Sequence, residues 1–287
     1  MTVVHTPAPP PPRLPVRDRA AAADRAWGGL SPMLTRLAAE RASGVLVRER
    51  GALYLAEGRV VHAESPLAPS LDALLTAHGT LTADVWRDAL SRADDRRGAA
   101  HLLLADGRLT EGALQLCHLG ALYDAAYFAL APSSAPGRFR YGVAHRLGPI
   151  LPVPVAALER ETLRRRDLLD RIWPHAGPDG APLVRTHASA APKLTSRQRR
   201  LLDRVDGART ATDLAHELGR QAFHTLVDVR RLASAGLIAP RPAPAPPQPA
   251  PPDPGADPAA GAAERLARTT DPHITLLKRL RDALEAL

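Results

Sequence analysis

The segment GVLVRERGALYLAEGRVVHAES, residues 44–65, decides the fold class of this chain. Its apolar residues fall into three short runs, centred on Val45, Leu53 and Val60, and the turn signals Gly51 and Gly58 separate them. Short apolar runs with alternating residues and tight turns are typical of β-strands. The segment therefore predicts three antiparallel strands joined as a meander.

A helix is predicted immediately before these strands. Ser31 is suited to cap a helix whose first residue is Pro32, because proline lacks the N–H that a first turn leaves unpaired. Apolar residues then recur at helical spacing as far as Ala38.

Residues 70–131 return to a helical pattern and contain an internal echo. LTAHGTLT, residues 75–82, matches LLADGRLT, residues 103–110. Gly79 and Gly107 are placed to end helices in the left-handed conformation, and the threonine that closes each unit is placed as an N-cap. We therefore expect two stacked helical repeats.

The pattern as a whole predicts an α+β fold, with an N-terminal helix, a small antiparallel meander, helical repeats and then a winged-helix-like, mostly helical domain. Residues 137–145 are predicted to add a returning strand. The expected segments are a proline-rich disordered tail (1–27), an α+β domain (28–150), an amphipathic helix (151–173), a linker (174–192), a winged-helix-like domain (193–240), a proline-rich linker (241–261) and a C-terminal amphipathic helix (262–287).

Composition narrows the function classes. The formal charge is +8, and almost all of the basic residues are arginines. An arginine-rich overall composition therefore explains the basicity as well as binding to an acidic partner does. The single cysteine, Cys117, excludes an internal disulfide framework and is expected to be a small buried hydrophobe. No phosphate-binding glycine loop, catalytic constellation or zinc-ligand spacing is present, and His62 is expected to be structural. We therefore expect no enzymatic activity, no metal and no cofactor, in a cytoplasmic protein without a membrane span.

Two stretches resemble a known family. The second compact unit, LLDRVDGARTATDLAHELG (201–219) followed by VDVRRLASAGLI (227–238), resembles the winged-helix modules of bacterial transcriptional regulators. The segment at 34–65, with a helix, Ser-Gly-x-Leu, a strand pair and Gly-x-x-x-x-Ala, resembles the opening of PATAN-type (DUF4388) domains. This resemblance implies a signalling or transcription regulator, or an adaptor, that has no enzymatic activity.

A winged helix implies contacts with duplex DNA through its third helix. The candidate base-reading and phosphate-binding residues are Arg197, Arg199, Arg200, Arg209, Arg220, Gln221, His224, Thr225 and Arg231. Two features oppose this interpretation. The wing is reduced to one short strand at 236–239 before prolines begin, and Asp228 is expected near the exposed face of the helix, where it would repel phosphate. Use of the module for protein contacts therefore remains the alternative.

The C-terminal helix is expected to bind a protein partner or a second copy of the chain. Its apolar seam consists of Ile274, Leu277, Leu280, Leu284 and Leu287. Packing of this seam against a domain of the same chain is the alternative. An enzyme whose site is assembled from distant residues is the minor alternative for the whole protein.

Overall fold

An antiparallel sheet of five strands lies at the centre of the N-terminal half in the computed structural model, which describes residues 30–77, 79–94, 97–186 and 193–242. Its strands are β1 (Gly44–Arg48), β2 (Gly51–Ala56), β3 (Arg59–Glu64), β4 (Arg138–Tyr141) and β5 (Val153–Pro154). The order across the sheet is β4-β1-β2-β3-β5. The predicted meander is therefore confirmed, and so is the returning strand, which pairs with β1.

Ten helices accompany the strands in the described residues. They are α1 (Pro32–Ala39), α2 (Leu71–Ala77), α3 (Ala83–Arg92), α4 (Ala99–Ala105), α5 (Glu111–Ala129), α6 (Val155–Ile172), α7 (Gly177–Gly180), α8 (Ser196–Leu202), α9 (Ala211–Glu217) and α10 (Ala222–Ser234).

The predicted helix ends are largely confirmed. The hydroxyl of Ser31 accepts the N–H of Leu34 at 3.3 Å, as expected of an N-cap. Gly79 and Gly107 adopt the left-handed conformation, with φ of +68° and +65°. Thr110 occupies an N-cap position but makes no side-chain capping bond.

Gly58 holds α1 against the β2–β3 turn. Its φ is +77°, and a Cβ atom at this position would lie 2.5 Å from the carbonyl oxygen of Ala38. Only glycine fits such a left-handed turn in direct contact with a helix end.

The region predicted as a linker, residues 174–192, contains regular structure in its described part. Besides α7, it forms strand β6 (Leu183–Arg185), which pairs antiparallel with β7 (Ile238–Pro240). The strand that follows α10 thus finds its partner upstream of α8. This pairing joins segments that are distant in sequence, so periodicity within the linker did not reveal it.

The core connects both predicted folded regions. One hydrophobic cluster runs from Leu34 in α1 through Leu122 in α5 and Leu169 in α6 to Val229 in α10. A second cluster, which includes Trp86, fills the space among α2–α5. The described residues up to Arg241 accordingly form one compact α+β unit. Within the described residues, no helix is both long and apolar enough to cross a membrane.

Candidate functional site

A cavity of about 830 Å³ opens beside strands β2 and β3. Its wall is mostly apolar and includes Ala52 of β2, Trp86 of α3, and Ala121 and Ala125 of α5. This volume lies within the range of ~300–1,000 Å³ that is usual for small-molecule sites. Four of the polar side chains in the wall contact one another and form what we call the histidine cluster: Tyr54, His62, Glu64 and His145.

A β-bulge positions the cluster. Tyr54 pairs with His62 across the sheet, whereas Leu55 pairs with Val60, so Val61 has no partner residue on β2. This extra residue lets Val60 and Ala63 both join the hydrophobic core although they are three positions apart. His62 and Glu64, two positions apart on β3, both line the cavity.

The carboxylate of Glu64 connects the other members of the cluster. Its Oε1 lies 3.0 Å from Nε2 of His145 and 3.9 Å from Nε2 of His62. Its Oε2 accepts the hydroxyl of Tyr54 at 3.2 Å. The hydrogen bond from His145 holds the pKa of Glu64 below its ordinary value. Burial, and secondarily the charge of Glu64, raise the pKa of Tyr54 to about 12.

His62 is kept neutral by its surroundings. It is only 5% exposed, and its ring stacks on His145 at 4.0 Å and on His118 at 5.9 Å between centroids. Burial lowers the pKa of His62 to about 3, and the two neighbouring imidazoles add to the shift. A neutral imidazole has a free lone pair, so it is the form that accepts hydrogen bonds or ligates a metal ion.

His118 of α5 is fixed by the bulge. Its Nε2 lies 2.9 Å from the carbonyl oxygen of Val61, so Nε2 carries the hydrogen and Nδ1 carries the lone pair. Nδ1 of His118 and Nδ1 of His62 are both buried without a hydrogen-bond partner. Unpaired buried polar atoms are uncommon, because each costs about 1–3 kcal/mol.

Sequence reasoning missed this cluster. It placed His62 at the end of a strand and treated it as structural, and it found no pair of histidines with ligand spacing. His145 reaches Glu64 from the loop after β4, far away in the sequence. The His-x-Glu pair on β3 was the one local signal available, because residues two apart on a strand share a face.

The predicted recognition helix, α10, is largely enclosed by the rest of the unit. Thr225 is 0% exposed, and the side chain of Gln221 packs so closely on Gly120 of α5 that a Cβ there would lie 2.2 Å from Nε2 of Gln221. His224 and Arg231 are exposed on this helix.

The remaining predicted DNA-binding residues divide into two groups. Arg199 and Arg200 of α8 are exposed. Arg197 and Arg220 both pair with Asp228, at 2.8 and 3.2 Å, and Arg209 pairs with Glu217 at 3.1 Å. Arg197, Arg209 and Arg220 therefore already hold acidic partners within the protein.

The expectation that Asp228 lies near the exposed face of the third helix is wrong. Asp228 is 1% exposed, and two arginines neutralise its carboxylate. Cys117, expected to be buried, is partly exposed. The seam of the C-terminal helix, from Ile274 to Leu287, lies outside the described residues.

Asp124 connects α5 to the first turn of α10. It is 0% exposed, and its two oxygens accept the backbone N–H groups of Ala222 and Phe223 at 2.6 and 2.8 Å. These groups form the first turn of α10, where a helix favours negative charge. Arg165 of α6 lies 3.6 Å from the same carboxylate and over the ring of Phe223. Burial raises the pKa of Asp124, while the two N–H bonds and Arg165 oppose the shift.

No family model, curated protein or solved structure matches this chain.

Proposed function

We propose that this chain is a non-enzymatic regulatory protein that acts by binding, and that its cavity receives a small, largely apolar ligand. The observation that carries the proposal is the cavity itself, with about 830 Å³ of mostly apolar space and a few convergent polar groups. Binding sites for small molecules combine these two features, because apolar walls supply affinity and a few polar groups orient the ligand.

Helix α5 supports a regulatory role. Ala121 and Ala125 of this helix line the cavity, and Asp124 between them caps α10. A ligand that displaces α5 would change the distance between this cap and the first turn of α10. Such a displacement would couple occupation of the cavity to the segment that contains α10.

The fluorescent dye anilinonaphthalene sulfonate (ANS) tests the cavity, because it brightens in apolar surroundings and Trp86 in the wall can transfer energy to it. Ala52→Phe places a ring in the wall, whereas Ala56→Phe makes the same change on the same strand at a residue that does not line the cavity. We expect Ala52→Phe to weaken dye binding at least about tenfold and Ala56→Phe to leave it unchanged. Equal binding by the two variants, both verified as folded by circular dichroism, would refute the proposal.

A DNA-binding regulator is the second candidate, favoured by the exposed side chains of Arg199 and Arg200 on α8. The enclosure of Thr225 and Gln221 favours phosphate contacts over base reading, and it equally favours the protein-adaptor alternative. If the chain binds DNA, replacing both arginines with alanine should reduce the salt dependence of binding by about two counterions. Arg87→Ala, exposed on α3, is the control. The absence of any salt-dependent binding to duplex DNA would eliminate this candidate.

A further inference from the structure

The histidine cluster has the donor atoms of a transition-metal site. One nitrogen each from His62 and His145 and one carboxylate oxygen from Glu64 all lie within 4.8 Å of one another. A ligand atom lies about 2.0–2.2 Å from a bound ion such as Zn²⁺, so two ligands of one ion are separated by at most about 4.4 Å. The observed separations therefore exceed this limit by at most about 0.4 Å.

The geometry points to a binding site for one divalent transition-metal ion, such as Zn²⁺, Co²⁺ or Ni²⁺, held by His62, Glu64 and His145 and open to the cavity. Two imidazoles and one carboxylate suit these ions, whereas Mg²⁺ and Ca²⁺ prefer oxygen ligands alone. The inference goes beyond the proposed function, because it assigns a metal ion to the polar groups of the cavity wall, whereas the proposed ligand binds mainly to the apolar part of that wall.

The surroundings of the three ligands also fit a metal site. The hydroxyl of Tyr54 donates to Glu64 Oε2, which leaves Oε1 directed at both histidines. Such outer partners orient the ligands of metal sites. His118 packs against the ring of His62 and donates to the carbonyl of Val61, the bulge residue next to His62. It therefore acts as a positioning residue.

Unpaired buried nitrogens supply an independent observation. The Nδ1 atoms of His62 and His118 are without partners, and these residues are 5% and 0% exposed. A folded core that served only for packing would gain stability by replacing them with apolar side chains, since unpaired nitrogens cost free energy. His62 is one of the three proposed ligands, so a ligand ring of this site has hydrogen-bonding capacity that the protein itself leaves unused.

Metal binding has a defined local cost. His145 Nδ1 accepts the N–H of Leu147 at 3.2 Å, so its hydrogen lies on Nε2 and is donated to Glu64. Ligation through Nε2 requires this hydrogen to move to Nδ1, which breaks the bond from Leu147.

The experiment uses the full chain after treatment with a chelator. Co²⁺ is titrated and followed by visible absorption, and Zn²⁺ is titrated by calorimetry. We expect one tightly bound ion per chain, with ligand-field bands typical of a nitrogen and oxygen site. His145→Ala and Glu64→Gln should each weaken Zn²⁺ binding by at least about 100-fold. His101→Ala, which removes an exposed histidine of α4 outside the cluster, should have no effect.

Two results would overturn the inference. One is the absence of ligand-field bands with Co²⁺, and the other is unchanged Zn²⁺ affinity in Glu64→Gln; either would make the cluster a hydrogen-bonded His–Glu pair only. If His145→Ala fails to fold, Glu64→Gln is the variant that tests the site, because its amide preserves the size of the half-exposed carboxylate. Dye binding without metal binding would leave the proposed function standing, and metal binding without dye binding would remove the proposed apolar ligand alone.

Discussion

Replacing Asp124 with alanine removes the group that connects α5, α6 and α10. The change leaves the N–H groups of Ala222 and Phe223 without an acceptor, and it leaves Arg165, which is 6% exposed, with Glu161 as its remaining acidic partner. Breaking a buried charged pair from one side costs about 3–5 kcal/mol. Since contributions within one network do not add, we expect Asp124→Ala to lower the free energy of unfolding by about 3–5 kcal/mol in total.

Replacing Asp124 with asparagine tests the capping hydrogen bond separately from the charge. Asparagine keeps one oxygen that can accept an N–H group of α10, and it removes a charge that burial makes unfavourable, as the raised pKa of Asp124 indicates. We expect Asp124→Asn to cost about 1–2 kcal/mol, clearly less than the alanine variant.

Urea unfolding, followed by circular dichroism and by tryptophan fluorescence, measures these values. Because one hydrophobic cluster spans α1 to α10, we expect a single transition that moves to lower urea in both variants. Asp167→Ala, an exposed residue of α6, is the control and should stay within about 0.5 kcal/mol. An alanine variant within about 1 kcal/mol of the parent chain would refute the role assigned to Asp124.

Two further predictions concern backbone shape and pH. Gly58→Ala should destabilise the chain by about 2 kcal/mol or more, because its Cβ would meet the end of α1 at a positive φ. Gly112→Ala in α5 has nothing within 4 Å of the new Cβ, so it should stabilise the chain by about 0.5–1 kcal/mol. Urea midpoints that change equally in the two variants would contradict this prediction. Hydrogen bonds from Arg164 and Arg165 lower the pKa of Glu161 from 4.5 to about 2, so its contribution to stability is present above pH 4.5 and is lost as the pH falls to about 2. Glu161→Gln should therefore flatten the acid limb of a stability–pH curve, and an unchanged slope between pH 5 and 2 would show that this pair does not stabilise the fold.

Local signals predicted the elements well. The caps at Ser31 and at Thr82, which closes the first repeat, depend on hydrogen bonds to residues three positions away, and the structure contains both. The meander depends on alternation within short runs and on tight turns, and its strands pair as predicted. These features can be predicted from the sequence because every interacting group lies within one short stretch of chain.

The interior of the third helix shows where local reasoning fails. The resemblance to winged-helix modules implied that Thr225 and Asp228 lie on or near the exposed face of α10. Polar side chains can be buried only when partners reach them, and the partners of Asp228 come from α8 and from the turn before α10. The pattern of residues within this helix therefore could not predict that α5 and α6 enclose it.

By itself, the sequence determined an α+β chain with an antiparallel meander, helices with recognisable caps, and a mostly helical segment after residue 193. Only the tertiary structure decided that β6 pairs with β7, that Asp124 caps α10, and that His145 meets Glu64 beside His62. The physical reason is the range of the interactions. Caps, turns and periodicity act over a few residues, whereas the bulge at Val61 and the contacts of the histidine cluster arise when distant segments are packed around one core.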